Sequence, residues 1–357
     1  MTFLIAAAGT GGHVFPGLAV GEALTTRGVA QEDILFVGGD RLEATVCPEA
    51  GFPFLGLELR GLQRSLTVKN LSLPRVVWKA RDLILARIRE RSVRVALGMG
   101  GYVSVPTALA ARRARIPLLV AEQNADAGLA NRIVSRWAER SFTSFPETNG
   151  MAHGEWVGNP VRQTCAGLER GLRRPGALAH YGLDPDLPVL GVFGGSLGAG
   201  VINAAIAALV NTWDRGPIQV LHLAGAGNVT SPAGSTGSVI LVQRPFEDQM
   251  ELFYAVSDLV VARAGGGVAE LTVTGTPSIL IPGEFGSSGH QAANASFLEE
   301  AGAAVVLTED RIEELPRLVE EILFDPAKLE AMRVGARSIA KPDAALSIAD
   351  AMLELAR

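Results

Sequence analysis

Two short apolar stretches of this 357-residue chain each run straight into a glycine-rich turn. Residues 2–8, TFLIAAA, lead into Gly9-Thr10-Gly11-Gly12-His13, with Pro16 near the start of a helical pattern. Residues 187–193, LPVLGVF, lead into Gly194-Gly195-Ser196-Leu197-Gly198-Ala199. Each reads as a strand, a turn and a helix N-terminus. That arrangement aims unpaired backbone N–H groups and the positive end of a helix dipole at one point, which suits a phosphate. Two such points, one per half, call for a substrate that carries phosphate. His13 follows four residues too small to shield it, and an unshifted imidazole, with a pKa of about 6.5, suits proton uptake near neutrality. The alternative for both turns is a tight connection whose glycines only let helix and strand pack closely.

Five further loops carry unusual residues. Gly98-Met99-Gly100-Gly101-Tyr102-Val103-Ser104 repeats the strand–glycine–helix pattern and makes a second candidate anion cradle in the first half. Glu122-Gln123-Asn124 sets three polar side chains at the end of an apolar strand, which is costly unless they face a site. Asn124 could instead cap the next helix. Arg162, in Gly158-Asn159-Pro160-Val161-Arg162, is either a hinge ion pair or a cation for a diphosphate. In Arg263-Ala264-Gly265-Gly266-Gly267-Val268-Ala269-Glu270 the glycines allow close backbone approach. The carboxylate behind them could take both hydroxyls of a ribose, or be a solvated helical charge. The loop 283–289 delivers His290, Gln291 and Asn294 to the same rim. His153, His180 and His222 read as structural or solvated.

The elements that must hold these loops are strands at 2–8, 34–37, 52–57, 94–98, 117–121 and 140–144, then at 187–193, 218–224, 238–243, 258–262, 277–281 and 303–307. Most are continuous apolar runs, as in parallel strands covered on both faces. Their alternation with helical patterns predicts an α/β chain of two Rossmann-like, doubly wound parallel-sheet domains, 1–160 and 161–341. A last amphipathic helix at 342–357 is expected to pack back on the first domain. In such sheets ligands bind beyond the carboxyl ends of the strands, where the loops above lie.

Composition narrows the function class. The chain is 48% apolar and 19% charged, ordinary for a soluble enzyme. Cys47 and Cys165 make no metal or redox spacing, and two thiols are too few for a disulfide framework, so a reducing, cytoplasmic compartment is expected. The N-terminus has no basic leader and reads as a buried strand, and no window approaches the length needed to span a bilayer. Residues 1–160 hold 18 Lys+Arg against 14 Asp+Glu, whereas residues 161–357 hold 14 against 23. Between Arg60 and Arg94 there are ten basic residues and two acids, so an anionic surface is the expected partner. A nicotinamide enzyme needs G-x-G-x-x-G. Val14 breaks that pattern in the first turn and Ser196 in the second.

Seven strings in register resemble the MurG family, bacterial transferases that add N-acetylglucosamine to the lipid-linked muramoyl-pentapeptide of peptidoglycan synthesis. They are GTGGHVFPGLAV at 9–20, LGMGGYVS at 97–104, EQNADAGLANR at 122–132, VGNPVR at 157–162, GGSLGA at 194–199, RAGGGVAEL at 263–271 and HQAANA at 290–295. The resemblance implies a GT-B glycosyltransferase fold, two lobes facing a deep cleft, with neither metal nor cofactor. Inverting β-1,4 transfer from UDP-N-acetylglucosamine to undecaprenyl-pyrophosphoryl-MurNAc-pentapeptide follows from it, with roles in cell-wall growth, shape and division. By position, Gly195 and Ser196 would meet the donor diphosphate, Glu270 the ribose and Phe246 the uracil. Gln291 and Asn124 would contact the sugar, with His290 and Gly266 beside them, and Arg162 would serve the nucleotide. Thr10, Gly11, Gly12 and His13 would face the acceptor diphosphate and its reacting hydroxyl, with His13 the base and Glu122 the second choice. The resemblance departs at the stretch from Arg263 to Glu270, one residue shorter than usual and without its threonine, and at His290, often glutamine. In the basic stretch 64–94, Leu66, Val68, Leu71, Leu73, Val76, Val77 and Trp78 interleave with Arg64, Lys69, Arg75 and Lys79. That pattern suits peripheral docking on the anionic inner face of the cell membrane, and equally an amphipathic helix with a solvated basic face. Nucleic acid is not an expected partner. A UDP-sugar epimerase and a non-catalytic nucleotide-sugar binder are the rival readings.

Overall fold

The computed structural model describes residues 1–58, 73–195, 198–229, 233–283 and 288–357. Ser196 and the basic and apolar residues from Arg64 to Leu71 therefore lie outside the described residues. Contacts divide the chain into two units, Met1–Gln163 with Pro342–Arg357, and Thr164–Lys341. The division puts Val161 and Arg162 with the first unit, not with the 161–341 domain expected from sequence.

The first unit runs β1 (Thr2–Ala6), α1 (Gly11–Thr26), β2 (Ile34–Gly38), α2 (Glu43–Glu49), β3 (Phe54–Gly56), α3 (Leu73–Glu90), β4 (Val93–Gly98), α4 (Ser104–Ala114), β5 (Leu118–Glu122), α5 (Leu129–Val134), β6 (Arg140–Thr143) and β7 (Gly154–Trp156). Its seven strands are parallel in the order β3-β2-β1-β4-β5-β6-β7. The apolar run of β1 is explained by burial on both faces. Phe3 and Ile5 join a core with α1 residues such as Leu18 and Leu24, while Leu4 and Ala6 join a second core with Ile84, Ile88, Ala108 and Ala111 of α3 and α4. Each such Leu, Ile or Phe side chain, fully withdrawn from water, contributes about 1.5–3 kcal/mol. A strand alternating apolar and polar residues would leave one helix layer without a partner.

After a short α6 (Gln163–Ala166), the second unit runs α7 (Arg170–Tyr181), β8 (Val189–Phe193), α8 (Gly200–Thr212), β9 (Ile218–Leu223), β10 (Ala233–Thr236), β11 (Val239–Arg244), α9 (Met250–Val256), β12 (Leu259–Ala262), α10 (Val268–Thr274), β13 (Ser278–Leu280), α11 (Ser288–Glu300), β14 (Ala304–Val306), α12 (Leu315–Leu323) and α13 (Pro326–Ser338). The sheet order is β10-β11-β9-β8-β12-β13-β14, parallel except for the β10–β11 pair. The closing helix α14 (Ala344–Leu355) belongs to the first unit, where Ile348, Ala349 and Met352 enter the core beside α1. Strands β7 and β10 are not expected from sequence, because GEW and AGST contain no apolar run.

Both sheets reverse direction of winding at their first strand. In the first unit β1 lies between β2 and β4, and in the second β8 lies between β9 and β12. Loops leaving the two central strands at such a point diverge to opposite faces and open a crevice for a ligand. The loops in question are 9–13 with 98–104, and 194–199 with 263–268. They are the four glycine-rich turns read from the sequence.

Candidate active site

In the first unit Thr10 stands at the N-cap of α1 in an extended conformation, and its side chain makes no capping hydrogen bond. Its hydroxyl lies 3.2 Å from His13 Nδ1 instead, which fixes the imidazole plane. Gly11, Gly12 and His13 are half-buried and Thr10 is exposed. The ring of His13 lies against Gly100, where a Cβ would stand 2.6 Å from His13 Cδ2 and 3.3 Å from Asn131 Nδ2. Gly101 has φ +76°, and a Cβ there would come within 2.6 Å of the Ala8 carbonyl oxygen. Glycine is thus required for the second turn to lie on the first, which is how residues about 90 positions apart form one site.

Glu122 ends β5 and is 2% exposed. Its Oε1 accepts from the backbone N–H of Gln123 (3.0 Å) and Asn124 (3.0 Å) and from Asn124 Nδ2 (3.1 Å). Its Oε2 accepts from the Gly128 N–H (3.1 Å) and Asn131 Nδ2 (2.9 Å). A carboxylate offers about four lone-pair sites. Five donors from its own chain fill them, so Glu122 is built as the clasp of the 122–131 loop and has no lone pair aimed outward for a substrate proton. Asn124 is held by the same clasp with its side-chain amide turned toward Glu122. Among the described residues Ser104 Oγ, Gln123 Oε1 and Asn131 Oδ1 are buried without a protein partner. Unpaired buried polar atoms are costly, and the Asn131 amide, near the position a Gly100 Cβ would take beside the His13 ring, marks a polar region there.

Arg162 packs its guanidinium 5.7 Å from the centre of the Phe15 ring on α1. The carboxyl of Glu22 is raised above its ordinary value by burial, an effect Arg162 partly offsets. Both neighbours are in α1, so the side chain read from sequence as a nucleotide contact is anchored on the first unit.

In the second unit Gly195 and Gly198 shape the turn before α8, and a Cβ on Gly198 would overlap the Ala224 carbonyl oxygen. Below the turn His222 is buried, at 1% exposure. Its Nδ1 lies 3.1 Å from Gln243 Nε2 and its Nε2 lies 3.0 Å from Asn203 Oδ1, while Asn203 Nδ2 donates to Ala224 O (3.0 Å). With the Gln243 amide donating, the ring is neutral and carries its proton on Nε2. Burial lowers its pKa to about 4.

Gly266 and Gly267 lead into α10, where Glu270 is half-buried and accepts from the Tyr254 hydroxyl (2.8 Å), so it is a held carboxylate and not a solvated charge. Arg263 is tied inward, donating to Ile281 O (3.0 Å) and pairing with Glu309. Phe246 is 42% exposed. Its neighbour Glu247 accepts from Tyr181 OH (2.8 Å) and Gln249 N–H (2.9 Å), so the backbone beneath the exposed ring is fixed. Gln291 accepts from the Gly283 N–H through Oε1 (2.9 Å), and His290 is half-buried with its Nδ1 unpartnered among the described residues.

Comparisons with known proteins agree with this layout. The glycosyltransferase family 28 N-terminal domain matches residues 3–143, and the family 28 C-terminal domain matches residues 189–348. A Halorhodospira halophila protein, the UDP-N-acetylglucosamine–N-acetylmuramyl-(pentapeptide) pyrophosphoryl-undecaprenol N-acetylglucosamine transferase, is 39% identical over 99% of this chain and 98% of its own. The chain belongs to the MurG family. The Anaeromyxobacter dehalogenans relative of the same name is 41% identical over 100% of this chain and 94% of its own. The crystal structure of Acinetobacter baumannii MurG superposes with a TM-score of 0.76 at 27% identity, covering 99% of both chains. Within this family frame, sequence reading located the turns but missed Glu43, Asn131, Tyr254 and the His222 network. An acid just past Gly38-Gly39 and a buried histidine between apolar residues were the available signals.

Proposed function

We propose that the protein transfers N-acetylglucosamine from UDP-N-acetylglucosamine to the 4-hydroxyl of the lipid-linked muramoyl-pentapeptide, with inversion to a β-1,4 link and release of UDP. Full-length identity to transferases of that name, at 39% and 41%, carries the reading. The geometry supports a division of labour. In the first unit, Thr10, Gly11 and Gly12 bind the acceptor diphosphate at the α1 N-terminus. His13, its Nδ1 held by the Thr10 hydroxyl, takes the acceptor proton. Glu122 holds Asn124 and Asn131 in place. In the second unit, Gly195 and Ser196 with the α8 N-terminus stabilise charge growing on the leaving diphosphate. Glu270 takes the ribose hydroxyls, Phe246 offers its exposed ring to the base, and Gly266, His290 and Gln291 meet the sugar. Arg162 supplies a cation to the nucleotide.

UDP release from UDP-N-acetylglucosamine, measured with and without the lipid-linked acceptor, tests this. Acceptor-dependent release is expected. An epimerase would interconvert the sugar without acceptor, and a binding protein would release nothing. In His13→Ala, turnover is expected to fall about 100-fold or more, and a fall of less than about threefold removes His13 from the role of base.

The acceptor's lipid requires contact with a bilayer, and no helix among the described residues is long and apolar enough to cross one. The reading is peripheral docking on anionic lipid at the cytoplasmic face. On α3, Trp78 (50%) and Leu83 (44%) are exposed, with exposed Arg75, Lys79 and Arg89 on the same helix. Val76 packs against the core and does not join them. On α5 and the turn after it Leu129, Ile133 and Trp137 are exposed, with the Arg112 guanidinium 5.9 Å from the Trp137 ring. Sedimentation with vesicles is expected to be stronger when they contain anionic lipid. Equal binding to neutral vesicles would remove the electrostatic part.

A further inference from the structure

Glu43, in the first turn of α2, is fully buried. Its Oε1 accepts from the Gly39 N–H (2.9 Å) and the Tyr102 hydroxyl (3.3 Å), and its Oε2 accepts from the Gly9 N–H (3.4 Å). Gly9, Gly39 and Tyr102 lie on the loops that follow β1, β2 and β4, which are neighbours in the sheet. One carboxylate therefore ties three loops together at the carboxyl edge, on both sides of the winding reversal.

The surroundings are shaped for it. A Cβ on Gly38 would stand 2.6 Å from Glu43 Cγ, and a Cβ on Gly39 would overlap the Tyr102 hydroxyl and stand 3.0 Å from Glu43 Oε1. Burial, with the Glu43 charge and hydrogen bond added, pushes the Tyr102 phenol up to about 12, so it remains a donor throughout the physiological range. A buried carboxylate carries a large desolvation cost unless donors meet it. An apolar side chain would anchor α2 at less cost. What the charge does that an apolar residue cannot is grip the backbone N–H of Gly9, the first residue of the turn that bears Thr10 and His13, and the tyrosine of the turn on which the His13 ring rests.

We propose that Glu43 is a positioning residue for the transfer reaction, locking the Gly9–His13 and Gly98–Ser104 turns together so that His13 meets the acceptor hydroxyl. The proposal rests on the reading of His13 as base. Displacement of a reacting group by about 1 Å can cost about 100-fold in rate, so kcat in Glu43→Gln is expected to fall about 10–100-fold. UDP binding, monitored by equilibrium titration, should stay within about twofold, because none of its assigned contacts lies in the turns that Glu43 holds. The decisive readout is a double-mutant cycle with His13→Ala, since groups that act as one unit give non-additive losses. In the His13→Ala background, Glu43→Gln should slow turnover by less than about twofold. Fully additive losses, a Glu43→Gln enzyme within about threefold of the parent, or a silent His13→Ala each overturn the proposal. If Glu43→Gln does not fold, Tyr102→Phe replaces it in the same cycle. It removes one donor to the carboxylate, and a loss additive with His13→Ala again overturns the proposal. A parent protein that releases no UDP with acceptor present counts instead against the transfer reading itself.

Discussion

Acid should weaken the second unit through His222, and the amount follows from one proton. The folded ring titrates at about 4 because burial disfavours the imidazolium, whereas a histidine in the unfolded chain titrates at about 6.5. A lowered folded pKa means that the unfolded state binds more protons between these values. Stability is therefore fully present above pH 6.5 and is lost as pH falls toward 4. A tenfold difference in proton affinity between the folded and unfolded ring is worth about 1.4 kcal/mol. That sets a ceiling of about 3 kcal/mol from this group and about 1.3 kcal/mol between pH 7.5 and 5.5. The perturbation is His222→Leu. It removes the titration but leaves Asn203 Oδ1 and the Gln243 amide without the ring nitrogens they meet at 3.0 and 3.1 Å. Stability at pH 7.5 should then fall by about 1–3 kcal/mol for the unpaired groups, while the loss on going to pH 5.5 should be about 1.3 kcal/mol smaller than in the parent. The assay is urea unfolding at the two pH values, followed by tryptophan fluorescence. Trp213 is the only tryptophan in the sequence of the second unit, so a form with Trp78, Trp137 and Trp156 replaced by phenylalanine reports that unit alone. Equal losses of stability in parent and variant between pH 7.5 and 5.5, or ring NMR that finds His222 titrating near 6.5, would refute the buried ring as the source of the acid sensitivity.

Three other outcomes follow from the packing. Gly101→Ala forces a side chain onto a backbone at φ +76° and against the Ala8 carbonyl, so about 1–3 kcal/mol of stability should be lost, and a melt indistinguishable from the parent would show that the turns do not need this contact. Glu122→Gln turns an NH₂ toward the donors that now meet its carboxylate and should cost about 1–3 kcal/mol. Its turnover should fall less than that of His13→Ala, and a larger fall would return the role of base to Glu122. Ile348→Ala opens a void in the core where α14 joins the first unit, with an expected cost of about 2–5 kcal/mol by chemical denaturation. The Trp213 transition should be unchanged, and a cost below about 1 kcal/mol would mean that α14 is not part of that core.

The strands, the glycine turns and the family were legible in the sequence because each is written locally. A run such as LPVLGVF can only be a strand covered on both faces, and glycines at its end can only be a turn. Burial on both faces also explains why central strands such as β1, β4 and β8 were readable, while the short β7 and the antiparallel β10, without apolar runs, were not. The division between Gln163 and Thr164, which places Arg162 on the first unit, was decided by packing on Phe15 and by nothing in VGNPVR itself. The roles of the carboxylates were decided in the same way. Glu122 read as a possible base until five donors from its own loop were seen to fill its lone pairs, and Glu43 read as nothing at all. Whether a carboxylate is a base, a clasp or a solvated charge depends on which donors surround it. For Glu43 two of those donors come from loops after strands paired across the sheet, at sequence separations of 34 residues for Gly9 and 59 for Tyr102. The sequence by itself determined where the turns stand and what family they belong to. Only the tertiary structure, by choosing the strand order, decided which turns touch and which side chains hold them.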